Sequence, residues 1–292
     1  MVVAAARIGD VCGRAGGPVF PAVLSRRGRD LFTFNHSAHS IGLDRRMTKP
    51  LAEKIALVTG ASRGIGYATA LALAQAGAHV IAVARTVGGL EELDDAIQAA
   101  GGTATLVPLD LTDHDGIARL ALVLDDRYGH LDILVANAGQ LGPVTPVPHV
   151  EVKEFDTLMQ VNVTANLQLL RCFDALLRRA DAGRVVFVSS GAAHAGRAYR
   201  GPYAISKAAL EAMARTYAAE TVTTPMRVNV CNPGPTRTKM RAALMPGEDP
   251  KTVQPPEEAA AAIVSLCLPG FQETGRLFDL RAGRLLHYNP PD

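Results

Sequence analysis

Tryptophan is absent from this chain, and aromatic residues make up only 5% of it. That leaves little material for stacking unpaired bases. The four cysteines, Cys12, Cys172, Cys231 and Cys267, stand far apart with no Cys-x-x-Cys pair. Such spacing excludes a zinc knuckle or a redox dithiol, so no metal is expected, and a reducing, cytoplasmic compartment is. Net charge is only +2, from 30 basic and 28 acidic residues, so no global field invites nucleic acid. No run reaches the roughly 18 uninterrupted apolar residues of a membrane span. The nearest approach, Ala68 to Ala84, is broken by Gln75 and His79. No period of a solenoid repeat recurs. What is present is ordinary: 48% hydrophobic and 20% charged residues, enough apolar material for a core and too much for wholesale disorder.

Charge is unevenly divided. Residues 1–46 carry seven Arg and three Asp with neither Lys nor Glu, and the remaining 246 residues carry 23 basic and 25 acidic ones. The first 46 residues are rich in Gly, Pro and Arg and hold no helical or strand period. Such a segment fits an organelle transit peptide, a basic arm that binds anions, or translated sequence ahead of the native start. Met47 is the next methionine and leads directly into the first apolar run. The expectation is that residues 1–46 do not fold, that Met47 is the native start, and that residues 47–292 form one domain.

From Lys54 strands and helices alternate. Apolar runs predict strands at Lys54–Thr59, His79–Ala84, Thr103–Pro108, Leu131–Val135, Arg184–Val188, Arg227–Cys231 and Arg276–Leu280. Helical patterns fill the intervals at Gly64–Ala76, Gly89–Ala100, Asp113–Tyr128 (with Thr112 as N-cap), Glu151–Arg179, Pro202–Glu220 and Pro256–Leu268. Strands apolar throughout, alternating with helices, imply a Rossmann-type, doubly wound parallel α/β sheet of about seven strands, covered on both faces.

The first strand runs into Thr59-Gly-Ala-Ser-Arg-Gly-Ile-Gly66 and then a helix. Glycines at 60, 64 and 66 let the backbone approach a pyrophosphate at the positive helix terminus. A turn that merely needs glycine is the bland alternative, but the strand–turn–helix context favours a dinucleotide. A carboxylate at the end of the second strand would bind a ribose 2′-hydroxyl and repel a 2′-phosphate. This chain instead has Ala84-Arg85-Thr86, with Arg63 in the glycine turn. Two guanidinium forks suit a phosphate dianion, so NADP(H) is expected over NAD(H). Asp110-Leu111-Thr112 and Asn137-Ala138-Gly139 follow the third and fourth strands, at carboxyl ends where such sheets bind ligands.

The second half carries a proton-transfer pattern. Tyr203 and Lys207 stand four residues apart and share a helical face. An ammonium about 4 Å from a phenolate contributes ~4 kcal/mol at an effective dielectric near 20. That would lower a tyrosine from about 10 toward neutrality. Such a phenol can protonate a carbonyl oxygen or deprotonate an alcohol. Ser190, at the end of the fifth strand, can hydrogen-bond the same substrate oxygen. Asn162, inside the long helical pattern, can interrupt the helix and hold a relay water. Each has a bland reading as a chance pair, a strand-closing serine or a solvated amide.

Taken together, Thr59–Gly66, Asn137–Gly139, Asn162, Ser190, Tyr203/Lys207 and Pro233-Gly234 resemble the short-chain dehydrogenase/reductase family over residues 50–290, in order. The resemblance implies a tetrad of Asn162, Ser190, Tyr203 and Lys207, with Tyr203 as acid/base and Lys207 on the nicotinamide ribose. It implies hydride transfer between NADP(H) and a carbonyl or secondary alcohol, and dimers or tetramers built on the helices after strands four and five. The expected cofactor surface is Gly60, Ser62, Arg63, Gly64, Ile65, Gly66, Arg85, Asp110, Leu111, Asn137, Ala138, Gly139, Tyr203, Lys207, Pro233, Gly234, Thr236 and Thr238. Three features depart from the family pattern, one being the single glycine of Leu277–Gly283 where a pair is common. Ala136 stands where a first Asn is usual, and Thr236 where an aliphatic residue is. The stretch Asn232–Arg241 is similar to a poorly characterised bacterial branch.

Substrate identity rests with Gly191–Pro202, which contains His194, Arg197, Tyr199 and Arg200, and with Lys239–Pro255. Met240, Leu244 and Met245 can line an apolar pocket. Arg237, Lys239 and Arg241 can attract an anionic acyl carrier or CoA ester, so a 3-oxoacyl substrate is one candidate, against a merely solvated basic loop. The competing function is a catalytically idle dinucleotide-binding redox sensor.

Overall fold

A computed structural model describes residues 49–288. The expectations about residues 1–46 and Met47 lie outside them. Eight strands form a single sheet in the order β3-β2-β1-β4-β5-β6-β7-β8. They are β1 (Ile55–Thr59), β2 (His79–Ala84), β3 (Thr103–Pro108), β4 (Ile133–Ala136), β5 (Arg184–Val188), β6 (Arg227–Asn232), β7 (Leu277–Asp279) and β8 (Arg284–Leu286). All pairings from β3 to β7 are parallel. The eighth strand was not expected. It returns antiparallel on β7, pairing Leu277 with Leu286. Arg284–Leu286 is too short to carry a period of its own, and long-range pairing alone makes it a strand.

Side-chain alternation builds two cores. Leu57 of β1 and Phe187 of β5 point to one face, with Leu124, Phe173 and Leu210. Those residues belong to α3 (His114–Tyr128), α5 (Ala165–Arg179) and α7 (Gly201–Glu220). Val58 and Val186 point to the other, with Leu73, Leu93 and Ile263, from α1 (Gly64–Gln75), α2 (Val87–Ala99) and α9 (Pro256–Cys267). Burial on both faces is why these strands read as continuous apolar runs. The run Ala68–Ala84 is divided between α1 and β2, and among the described residues no helix is long and apolar enough to cross a membrane.

Three local expectations are corrected. The N-cap of α3 is Asp113, whose carboxylate accepts from Gly116 N at 2.8 Å, while Thr112 turns its N–H and hydroxyl to Asp110. The second helix begins at Val87, not Gly89. The pattern over Glu151–Arg179 is not one helix. Residues Val152–Met159 form α4, Gln160–Thr164 a π-helical turn, and α5 follows. The interruption sits at Asn162, and π-turns inside helices concentrate at functional sites. The short helices α6 (Ala192–Ala195) and α8 (Lys239–Leu244) lie in the loops after β5 and β6.

Candidate functional site

Strand order reverses between β1 and β4, so their carboxyl ends diverge and open a crevice. The cleft there has a volume of about 1170 Å³. At its floor the β1 and β4 turns are tied together. Thr59 Oγ1 accepts from Asn137 N and Ala138 N, both at 3.0 Å, and Asn137 Nδ2 donates to Thr59 O at 2.9 Å. Gly60 adopts φ +67°, and a β-carbon on Gly66 would collide with the Gly60 carbonyl oxygen and with Asn137 Nδ2. The glycine spacing therefore answers to a close approach of two turns as well as to a ligand. The Asn137 amide faces inward, holding the floor. Its partner Thr59 was missed as a site residue, because a buried threonine ending a strand looks like any other.

One wall is basic. Arg63 precedes α1 and is exposed. Arg85 follows β2 directly and lies 3.6 Å from Asp110 across an exposed pair. Burial alone would raise the Asp110 carboxyl, but hydrogen bonds from Thr112 and the Arg85 charge outweigh it and hold it below the usual range. Strands β2 and β5 are three spacings apart in the sheet, roughly 14 Å. Arg85, just after β2, and Ser190, just after β5, are thus separated on the scale of an extended dinucleotide.

At the other end Ser190, Tyr203 and Lys207 converge. Ser190 and Tyr203 line the cleft together, the serine hydroxyl near enough to act on the phenol, and Lys207 Nζ lies 5.9 Å from the centre of the Tyr203 ring. Lys207 is buried, and its Nζ donates to Val188 O at 2.8 Å. Burial lowers it to about 8, against the opposing charge of Glu211. Tyr203 departs from the expectation of a lowered value. Burial pushes its phenol upward, and the neighbouring Ser190 hydroxyl only partly offsets this. No charge from Lys207 enters among the causes of the Tyr203 shift, so desolvation wins.

Asn162 and Gly66 do not line the cleft, whereas every other predicted catalytic and cofactor-binding residue does. Asn162 is fully buried behind it. Its Oδ1 accepts from Gln140 N at 2.8 Å, and its Nδ2 donates to Gln140 O and to Ser206 Oγ, each at 2.9 Å. A β-carbon on Gly139 would stand 3.3 Å from Asn162 Oδ1 and 3.5 Å from Lys207 Nζ. Asn162 therefore braces the strand-four turn against the helix that carries Lys207.

Two acids that sequence reasoning passed over organise the rest. Glu211, buried on α7, accepts from Ser189 Oγ at 2.5 Å and from the Tyr288 hydroxyl at 3.0 Å, and meets His194 Nε2 at 2.8 Å. It ties the serine turn, the following loop and the carboxyl-terminal segment to one helix. Its four-residue spacing from Lys207 was the available signal. Glu248 holds Arg241 through two hydrogen bonds of 2.6 and 2.5 Å. Arg241 is thereby removed from the set of arginines expected to attract an anion. Met240 and Leu244 line the cleft as expected, and Met245 does not. Thr236 is buried and holds its own turn, donating to Gly234 O at 3.3 Å and accepting from Gln254 Nε2 at 3.3 Å. Thr238 caps α8, accepting from Arg241 N at 3.2 Å, and a β-carbon on Gly64 would meet its methyl group.

The residues present fit a nicotinamide dinucleotide. The glycine turn would face its pyrophosphate, Arg63 and Arg85 an adenosine phosphate, and Lys207, with more protons than its single carbonyl partner takes, the ribose hydroxyls. No group of His, Cys, Asp and Glu among the described residues could hold a metal ion.

Comparison with known proteins agrees with this geometry. The short chain dehydrogenase family profile matches residues 54–249. The uncharacterized oxidoreductase YciK of Escherichia coli (strain K12) is 37% identical over 238 residues, 80% of this chain and 94% of that protein. The cis-4-hydroxycyclohexanecarboxylate dehydrogenase of Sinomonas cyclohexanicum is 34% identical over 232 residues, 75% of this chain and 91% of that one. A Shigella flexneri short chain dehydrogenase crystallised with NADP superposes with a TM-score of 0.77 at 36% identity, covering 80% of this chain and 99% of that one.

Proposed function

This chain belongs to the short chain dehydrogenase family of NAD(P)-dependent oxidoreductases, and on that premise we propose that it interconverts a carbonyl and a secondary alcohol with NADP(H), using Tyr203 as the acid/base. One observation carries the reading: Ser190, Tyr203 and Lys207 meet at one end of a cleft whose other end carries the glycine turn, Arg63 and Arg85.

When bound, the nicotinamide supplies or accepts the hydride. The protein's own residues do the rest. Ser190 and Tyr203 present hydroxyls to the substrate oxygen. Burial keeps the Tyr203 phenol protonated at neutral pH, which suits it to donate a proton to a carbonyl oxygen as negative charge develops there. Lys207 orients the ribose and lies where its charge steadies the phenolate left behind. Asn162 and Glu211 hold α7 and its neighbouring turns in place, so that these groups keep their spacing. Arg85 and Arg63 favour the 2′-phosphate of NADP(H), in keeping with the NADP bound by the Shigella relative. A 3-oxoacyl substrate remains one candidate class.

Consumption of NADPH against a panel of 3-oxoacyl esters, diketones, quinones and keto acids tests the proposal, with Tyr203→Phe in parallel. Turnover should fall by about 10²–10⁴ in the variant, while NADPH affinity measured by its fluorescence persists. NADPH binding with no Tyr203-dependent turnover on any carbonyl would instead favour a redox-sensing module.

A further inference from the structure

We propose that the substrate carries an oxyanion, a carboxylate or a phosphate, and that Arg200 with Arg197 receives it beside Tyr203. This rests on the carbonyl-reductase reading and specifies its substrate class.

Arg197 and Arg200 lie on the loop between β5 and α7, and both line the cleft that Tyr203 lines. Arg200 precedes α7 directly, three residues before Tyr203. Between the two arginines Tyr199 holds a left-handed backbone at φ +67°, one of only two non-glycine residues with positive φ among those described. A bulky residue in that conformation is strained, and such strain gathers at ligand sites.

Charge balance then decides what the loop can receive. Arg200 is partly buried and donates to Met245 Sδ at 3.6 Å. Among the described residues no carboxylate forms an ion pair with Arg197 or Arg200. Burial, then the nearby charges of Arg197 and Arg241, lower the proton affinity of Arg200. The third guanidinium, Arg241, is neutralised by Glu248. Arg237 and Lys239, on the segment after β6, also line the cleft without an ion pair among the described residues, whereas Arg197 and Arg200 are the uncompensated charges on the loop that leads into the helix of Tyr203. The phosphates of a dinucleotide would not account for them, because the glycine turn follows β1 and Arg85 follows β2, two and three strand positions from β5, whose loop carries Arg197 and Arg200. A planar guanidinium in a partly desolvated cleft binds carboxylate or phosphate oxygens through paired hydrogen bonds.

Matched probes test this with the full chain. The kcat/KM with NADPH is compared for levulinate against methyl levulinate, and for dihydroxyacetone phosphate against dihydroxyacetone. The anion of at least one pair should be preferred by about tenfold or more. Whichever pair shows the preference identifies the oxyanion. In Arg200→Gln the anion-to-neutral ratio should collapse toward one, and Arg200→Lys should restore part of it. Calorimetric titration of the NADP⁺-loaded chain with levulinate and with inorganic phosphate gives a readout independent of turnover, and the heat should be lost in Arg200→Gln. Neutral probes turned over as well as their anions, or a ratio unmoved by Arg200→Gln, would overturn the proposal while leaving the reductase reading intact. No anion-dependent heat together with no anion preference would overturn it as well. Loss of all carbonyl turnover with anion binding preserved would overturn the reductase reading and not the anion site.

Discussion

The two edges of the sheet treat charge in opposite ways. At the amino edge every buried charge is fully answered. Asp132, before β4, accepts from Ile55 N at 2.9 Å and from Lys54 Nζ at 3.0 Å, and meets His130 Nε2 at 3.1 Å. Arg184, the first residue of β5 and almost wholly buried, donates to the carbonyl oxygens of Gly183, Pro225, Leu268 and Pro269. At the carboxyl edge Lys207 is as deeply buried yet has one carbonyl partner, and the partly buried Arg200 has no paired acid among the described residues. Satisfied buried charge holds a structure together, whereas buried charge with protons to spare costs stability and is kept for what it binds. The same sheet is cemented at one end and primed at the other.

Breaking the cemented edge gives the largest expected effect. Asp132→Ala leaves a buried backbone N–H and a partly buried ammonium without their acceptor, and should cost about 3 kcal/mol. Urea denaturation checks it, and the folded fraction should keep its NADPH affinity. A loss confined to NADPH affinity would show that the edges are not separate in role.

The primed edge should respond with the opposite sign. Burial lowers Lys207 from 10.5 to about 8, so the unfolded chain holds that proton more tightly than the folded one. The cost is full below pH 8 and is relieved as pH rises from 8 toward 10.5. Lys207→Met should therefore stabilise the protein at pH 7 by about 2 kcal/mol, after loss of the Val188 hydrogen bond. That gain should shrink across the window from pH 8 to 10.5, as denaturant midpoints at a series of pH values would record.

The smallest effect concerns the outer, solvated wall. Arg85→Asp should reverse part of the discrimination between cofactors, moving the NADPH-to-NADH affinity ratio by about ten- to thirtyfold. Stability should barely change, since the Arg85–Asp110 pair is exposed. An unmoved ratio, measured by fluorescence titration of both cofactors, would remove Arg85 from the 2′-phosphate assignment.

The comparison also explains what could be read in advance. Strands such as Val185–Val188 are apolar because both faces are covered, and the glycine turn needs its residues at fixed spacing. Tyr203 and Lys207 are local partners on one helix, and Asn162 broke its helix where its residue type predicted. What stayed hidden depends on contacts between distant segments. Glu211 reaches Ser189, His194 and Tyr288, Glu248 silences Arg241, and β8 exists only because β7 lies beside it. The direction of the Tyr203 shift was also illegible, since spacing places an ammonium near a phenol but does not weigh desolvation against it.

Thermal unfolding of wild type and Lys207→Met at pH 7, each with and without saturating NADPH, tests the contrast most directly. Without NADPH the variant should melt higher. With NADPH at about a hundred times its dissociation constant the wild type should gain about 2.7 kcal/mol and the variant much less, so that the order closes or reverses. A variant that melts lower without NADPH, or gains as much from it as the wild type, would contradict the account of Lys207 as a charge kept for its ligand at the expense of the fold.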